Sequence, residues 1–208
     1  MSLMLFGMPS VIHSRQGFVL AGGKSSRMGA DKAFLDFGGQ TLLDRALAVT
    51  AAVCGNVTIV GDPSKFAGYA EEKYGMAVPD IFPGCGPLGG IHAALVHSPA
   101  ELNLMLAVDM PFVAAELLEF LFATAGDRNN HAMITVPRTA RGFQPLCAVY
   151  RREFSVASER ALREGKYKID AAFSEVSLRV IEAAELETAG FSEREFFNVN
   201  TPKDRQRL

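Results

Sequence analysis

Phe18-Val19-Leu20-Ala21 is a short, partly β-branched apolar run with Gly17 before it and Gly22-Gly23 after it, which constrains this part of the chain to a buried strand emptying into a glycine loop. Gly22 and Gly23 allow backbone N–H groups to turn toward an anion with no Cβ in the way, and Lys24, Arg27 and Lys32 supply charge to neutralise it. Two readings stand: a polyphosphate cradle, or an ordinary strand-to-helix turn with a solvated basic rim. Neither common phosphate fingerprint is complete. A P-loop needs glycine six residues before its lysine, where Lys24 has Phe18, and the dinucleotide pattern needs glycine two residues after Gly23, where Ser25 stands.

Strand and helix patterns alternate along the rest of the chain, which predicts an α/β domain with a doubly wound sheet. Thr41-Leu42-Leu43-Asp44 reads as a capping box with Asp in place of Glu, opening a helix that runs to Cys54 and stops at Gly55. Further strands are expected at 56–60, 76–78, 102–108, 132–136, 146–150, 178–181 and 196–199. Helices are expected at 65–74, 91–97, 116–124 and 152–164, with a short terminal one from Thr201-Pro202. No repeat, low-complexity tract or linker-like run interrupts this order, so residues 17–208 read as one domain behind a loose N-terminal extension or tag remnant over 1–16, with Met8 an alternative start.

The 208 residues suffice for a buried sheet covered on both faces, and an apolar fraction of 49% with 21% charged residues describes a globular chain. A net charge of −2 offers no global attraction to nucleic acid or an anionic membrane, so any anion site must be local. Cys54, Cys85 and Cys147 are odd in number and widely spaced, which excludes a disulfide framework or paired zinc ligands and favours a reducing cytoplasm. The apolar stretch near the N-terminus has its basic residue, Arg15, on the wrong side for a secretory signal, and no run approaches a membrane span.

Ligands of such sheets bind beyond the carboxyl ends of the strands, where residues 20–32, Gly61-Asp62, Asp80 and Asp109 fall. Asp109 ends the strongest apolar strand and precedes Met110-Pro111, so its carboxylate either enters the crevice, where Mg²⁺ could bind with substrate phosphates and water, or caps the following helix. Asp80 either serves the ligand or makes a turn. Gly84, Gly86, Gly89 and Gly90 either shape turns or let a flat base approach the backbone. His92 and His97 are five apart and fall on different helix faces, no serine sits in a Gly-x-Ser-x-Gly elbow, and no cysteine has an evident base. Arg138 and Arg141 flank a loop, either as solvated charges or as attractors of a second phosphate-bearing substrate.

Leu20-Ala21-Gly22-Gly23, then Ser26-Arg27-Met28-Gly29, then Asp31-Lys32 resembles the signature of nucleotidyltransferases, specifically the molybdenum cofactor guanylyltransferases. Pro79-Asp80 ahead of Gly86-Pro87-Leu88-Gly89-Gly90, Ala107-Val108-Asp109-Met110-Pro111 and Asn198-Val199-Asn200-Thr201-Pro202 follow in that family's order, with Gly142-Phe143-Gln144-Pro145 between. The resemblance implies a single-domain, Rossmann-like, mostly parallel sheet of the nucleotidyltransferase type and transfer of GMP from GTP to the phosphate of molybdenum-molybdopterin. It implies Arg27, Lys32 and Asp109 as catalytic, with Asp109 holding Mg²⁺. Leu20, Ala21, Gly22, Gly23, Lys32, Asp80, Gly86, Pro87, Leu88 and Asp109 would bind the nucleotide, and Asn198 and Asn200 the acceptor. Transient contact with cofactor-delivery proteins or apo-molybdoenzymes is implied, without nucleic acid or membrane. Asp62 stands where relatives can offer an asparagine and is not assigned. A cytidylyltransferase acting on the same pterin and a non-catalytic nucleotide-binding protein are the competing readings. Gly23-Lys24, rather than Ala-Gly, favours GTP over CTP, and intact Lys32 and Asp109 disfavour a degenerate binder.

Overall fold

The computed structural model describes residues 14–22, 31–69 and 77–199. Eight strands, β1 (Arg15–Leu20), β2 (Val57–Val60), β3 (Ala77–Val78), β4 (Leu102–Ala107), β5 (Ile134–Thr139), β6 (Gly142–Phe143), β7 (Cys147–Arg151) and β8 (Leu178–Ile181), form one sheet in the order β3-β2-β1-β4-β7-β5-β6, with β8 paired to β5. Among the described residues the α-helices are α1 (Leu42–Ala51), α2 (Pro63–Tyr69), α3 (Pro87–His97), α4 (Ala115–Ala125), α5 (Phe154–Arg163), α6 (Ile169–Phe173) and α7 (Ala183–Thr188). The expected doubly wound, mostly parallel sheet is present.

Its two halves differ in pairing. β3, β2, β1 and β4 run parallel, with Val19 opposite Ile59 and Leu106. β7 then enters antiparallel between β4 and β5, and β5 pairs antiparallel with β6 and parallel with β8. Alternate strand residues face opposite sides, so one sheet generates two cores. Val19, Ile59, Leu104 and Leu106 pack under α1, α2, α4 and α7 through Leu43, Leu47, Phe66, Leu117, Leu121 and Leu186. Phe18, Val60, Met105 and Ala148 pack under α3, α5 and α6 through Leu88, Ile91, Phe154, Ala161 and Phe173. β1 and β4 are buried on both faces, as their continuous apolar runs require.

The capping box on α1 forms as read: Thr41 Oγ1 accepts from the Asp44 N–H at 3.0 Å and Asp44 Oδ2 accepts from the Thr41 N–H at 3.3 Å. Several boundaries differ from expectation. The division between 16 and 17 falls inside β1, because Arg15 and Gln16 already pair with Leu102 and Asn103. α3 starts at Pro87 instead of residue 91, since Gly86 is its N-cap and proline suits the first helical position. No strand forms at 196–199: a 3₁₀ turn at Glu193–Phe196, held by a Ser192–Glu195 capping box that the apolar spacing did not reveal, ends at Phe196, and residues 197–199 follow it as irregular chain. The short α6 and α7 were not foreseen, and the expected terminal helix lies outside the described residues.

Candidate active site

A cleft of about 930 Å³ opens over the carboxyl ends of β1, β2, β3 and β4, lined by Leu20, Ala21, Gly22, Asp31, Lys32, Asp80, Gly86, Pro87 and Asp109, among others. Asp109 is its hub. Lys32 Nζ donates to Asp109 Oδ2 at 2.5 Å, and Asn198 Nδ2 donates to Oδ1 at 2.8 Å. The Asp109 backbone carbonyl also accepts from the Val199 N–H at 2.8 Å, which fastens the C-terminal segment to the end of β4. Asp109 therefore does not cap the helix after it: α4 begins at Ala115 with Ala114 as its N-cap. The carboxylate is turned into the cleft and oriented from two sides.

Lys32 opens a 3₁₀ turn over Lys32–Phe34 whose N-cap is Asp31, with Asp31 Oδ1 accepting from the Ala33 N–H at 3.1 Å. Lys65 of α2 forms an ion pair with Asp31. The turn thus fixes the origin of the Lys32 side chain before its ammonium reaches 77 positions along the chain to Asp109. Side-chain exposures of 20% for Lys32 and 16% for Asp109 leave this pair partly desolvated yet open to a ligand. Gly23 and Arg27, assigned to the same loop from sequence, lie outside the described residues, as does Asn200.

The opposite wall follows β3. Asp80 Oδ1 accepts from the Phe82 N–H at 3.0 Å, closing a turn, and burial raises the Asp80 carboxyl above its ordinary value despite that bond. Asp80 both makes the turn and lines the cleft. Gly84 (φ +83°) and Gly86 (φ +70°) hold the loop in left-handed backbone that favours glycine. At Gly89 the constraint is space: an added Cβ would lie 2.8 Å from Asp80 Oδ1 and 3.1 Å from the Phe82 carbonyl oxygen. Gly86 and Pro87 reach the cleft, whereas Leu88, expected from sequence at the base, is fully buried in the core and does not line it. Asp62, left unassigned from sequence, also lines the cleft, with Oδ1 accepting from the Ser64 N–H at 3.0 Å.

Other candidate chemistries are absent from the described residues. His92 is buried with Nδ1 3.2 Å from both Ser158 Oγ and the Ser155 carbonyl oxygen, and burial lowers its basicity; His97 Nδ1 bonds the Ala93 carbonyl oxygen. The buried Cys54 and Cys147 thiols are pushed up to about 12 by desolvation, which keeps them protonated and poor as nucleophiles. No group of three or more His, Cys, Asp or Glu side chains forms a metal cage among the described residues. The cleft holds the carboxylates of Asp31, Asp62, Asp80 and Asp109, of which Asp109 stands at the hub; a single such ligand fits Mg²⁺, which takes one or two carboxylates and fills its remaining positions with substrate phosphate oxygens and water.

Sequence reasoning missed Asp31 as the cap aiming Lys32, although an Asp immediately before a lysine and two residues before the capped N–H is a readable signal. It also missed the bond from Asn198 to Asp109, for which no local signal exists.

Residues 17–177 match the family model described as the MobA-like NTP transferase domain. The chain is 36% identical over 191 residues to a protein of Pelotomaculum thermopropionicum named probable molybdenum cofactor guanylyltransferase, covering 90% of this chain and 88% of that one. A Desulfosudis oleivorans protein named molybdenum cofactor guanylyltransferase is 32% identical over 190 residues, covering 90% and 91%. The crystal structure of molybdopterin-guanine dinucleotide biosynthesis protein A from Archaeoglobus fulgidus superposes with a TM-score of 0.78 at 28% identity, over 92% of this chain and 95% of that one. With the matched model spanning the β1 loop, the Asp80–Gly90 wall and Asp109, the chain belongs to the MobA-like NTP transferase family.

Proposed function

We propose that the protein transfers GMP from GTP to the phosphate of molybdenum-molybdopterin, yielding the guanine dinucleotide cofactor and pyrophosphate. The observation that carries this reading is the convergence of Lys32 and Asn198 on Asp109 at the floor of a cleft walled by glycine-rich loops. The relatives' names supply the nucleotide and the acceptor.

The acceptor phosphate monoester is already anionic at neutral pH, so the protein need not provide a strong base, and the buried thiols and His92 are not required. Its tasks are to align an acceptor oxygen with the α-phosphorus and to stabilise charge on the phosphoryl group and leaving pyrophosphate. Backbone N–H groups at Gly22 and Gly23 would cradle phosphates, with Arg27 and Lys32 as cations. Lys32, aimed by the Asp31 cap, would exchange its contact with Asp109 for phosphate oxygen. Asp80 and the backbone at Gly86 and Pro87 would bind the nucleoside. Asn198 would hold Asp109 in place while facing the acceptor, and Asn200 would join it on that side. Nucleotidyltransferases of this kind generally use a divalent metal. We assign Mg²⁺, held by Asp109, where it would neutralise phosphate charge.

We place this reaction in the cytoplasm on the three unpaired cysteines, with the chain from β1 onward acting as one transferase domain and product passing through transient contacts to delivery proteins or recipient apoenzymes. Among the described residues no helix is long and apolar enough to cross a membrane. Incubation with the pterin acceptor, Mg²⁺ and each of the four nucleoside triphosphates tests the reading. GTP alone should give the dinucleotide with stoichiometric pyrophosphate. Preferential use of CTP would make the protein a cytidylyltransferase, and nucleotide binding without pyrophosphate release would make it a carrier or sensor.

A further inference from the structure

Two arginines outside the cleft lining stand on aromatic rings of the segments that meet at Asp109 instead of on carboxylates. The Arg141 guanidinium lies 5.5 Å from the centre of the Phe197 ring, and that of Arg194 lies 5.3 Å from the centre of Phe112. The two rings meet edge to face, 6.4 Å between centroids. Phe197 precedes Asn198 and Phe112 follows Asp109 by three residues, so both guanidiniums rest on rings carried by the segments that converge on the hub. Neither makes an ion pair among the described residues, and both side chains are exposed. Arg138, one strand position away from this turn, shows the contrast: its guanidinium is spent on Glu182 through bonds of 2.9 and 2.6 Å.

The neighbourhood is held in place. Glu193 Oε1 accepts from the Ala140 N–H at 2.7 Å, which ties the turn carrying Arg141 to the 3₁₀ turn carrying Arg194 and commits the nearby carboxylate to backbone. A guanidinium stacked on a ring keeps its in-plane N–H edge available for bidentate binding of a phosphate, and the ring limits the rotamer freedom lost on binding.

The sheet order sets which substrate these cations would serve. The Lys32, Asp80 and Gly86 walls stand over β1, β2 and β3, whereas Arg141 stands in the β5–β6 turn on the other side of β4. On that side the described groups at the hub are the Asn198 amide, a neutral donor already bonded to Asp109, and the Asp109 carboxylate, which would repel a phosphate dianion approaching a nucleotide polyphosphate.

We infer that Arg141 on Phe197 and Arg194 on Phe112 form the anion seat for the phosphate-bearing acceptor. This rests on the GMP-transfer reading. Steady-state kinetics of Arg141→Ala, Arg194→Ala and the double variant, with GTP and the molybdenum-loaded pterin varied separately, should show the acceptor KM rising roughly tenfold for each arginine, as for loss of a charge-assisted hydrogen bond. The GTP KM and the thermal midpoint should stay near the parental values, and Arg141→Lys should recover part of the loss, because it restores charge without the planar fork. An unchanged acceptor KM, or equal rises for both substrates, would overturn the seat while leaving GMP transfer standing. Calorimetric titration of inorganic phosphate, with a non-hydrolysable GTP analogue filling the donor side, reads the seat without turnover. Weaker phosphate binding by the double variant is expected, and equal binding overturns the seat even if the parent makes no dinucleotide and the transfer reading itself has failed.

Discussion

The two sides of Asp109 are built by different means. On the β1–β2–β3 side the walls come from segments whose residues lie together in sequence: Gly22 after β1, the Asp31-capped turn, and the Asp80–Gly86 loop that leads into α3. On the β7–β5–β6 side the surface is assembled from distant pieces, with Asn198 reaching Asp109 across 89 positions and Glu193 reaching Ala140 across 53. A binding loop written as a contiguous string can be recognised by its local geometry. A surface made by packing a late segment against an earlier strand leaves no periodic trace.

Removal of the hub should have the largest effect, because it disables both sides. Asp109→Ala should abolish detectable dinucleotide synthesis while circular dichroism shows a retained fold, since Lys32 is partly exposed and can rehydrate. Parental turnover at saturating GTP and Mg²⁺ would remove Asp109 from the chemistry. Lys32→Ala is next: loss of one preorganised donor to developing charge typically lowers kcat by about 10²- to 10³-fold, or roughly 3 to 4 kcal/mol. A raised GTP KM with unchanged kcat would restrict Lys32 to ground-state binding.

Gly89→Ala asks whether the nucleoside wall is independent of the acceptor side. The added Cβ would meet the Asp80 carboxylate and the Phe82 carbonyl, and overpacking of this kind costs about 1 to 3 kcal/mol. The GTP KM should rise while the acceptor KM stays within a few-fold. Equal rises would show that the two walls move as one unit.

The smallest expected effect concerns Asp80 and acidity. Burial raises its carboxyl in the folded protein, so the neutral form favours folding: its contribution is fully present below the unfolded value and is lost as pH rises through the folded one. Asp80→Asn preserves an oxygen for the Phe82 N–H and removes the penalised charge. Denaturant unfolding across the acid range should show the parent losing stability relative to the variant as pH rises through that window, together with weaker GTP binding by the variant at neutral pH. Parallel pH profiles for the two proteins would contradict a raised Asp80 carboxyl.

The same division governs how much was legible in the sequence. The doubly wound sheet followed from alternating apolar runs, the α1 capping box from four residues, and the positions of Lys32, Asp80 and Asp109 at strand ends from the runs that precede them. The antiparallel entry of β7 was not legible, because a buried apolar run such as Cys147–Arg151 reads alike in either direction. Phe196-Phe197-Asn198-Val199 was misread as a strand for a related reason: its apolar residues serve a 3₁₀ turn and an aromatic contact with Phe112 instead of a ladder. The burial of Leu88 also escaped a reading that took Gly86-Pro87-Leu88 as one surface, because α3 begins inside that string and its first turn points Leu88 into the core.

Nucleotidyl transfer at Asp109 is tested most directly by following GTP labelled at its α-phosphorus or at its γ-phosphorus, with the molybdenum-loaded pterin as acceptor, in the parent and in Asp109→Ala. The parent should carry the α-label into the dinucleotide and release the γ-label only in pyrophosphate, and the variant should do neither. Release of the γ-label as inorganic phosphate with no label in the pterin would reveal a hydrolase, and an Asp109→Ala variant that still moved the α-label at the parental rate would contradict the account at its centre.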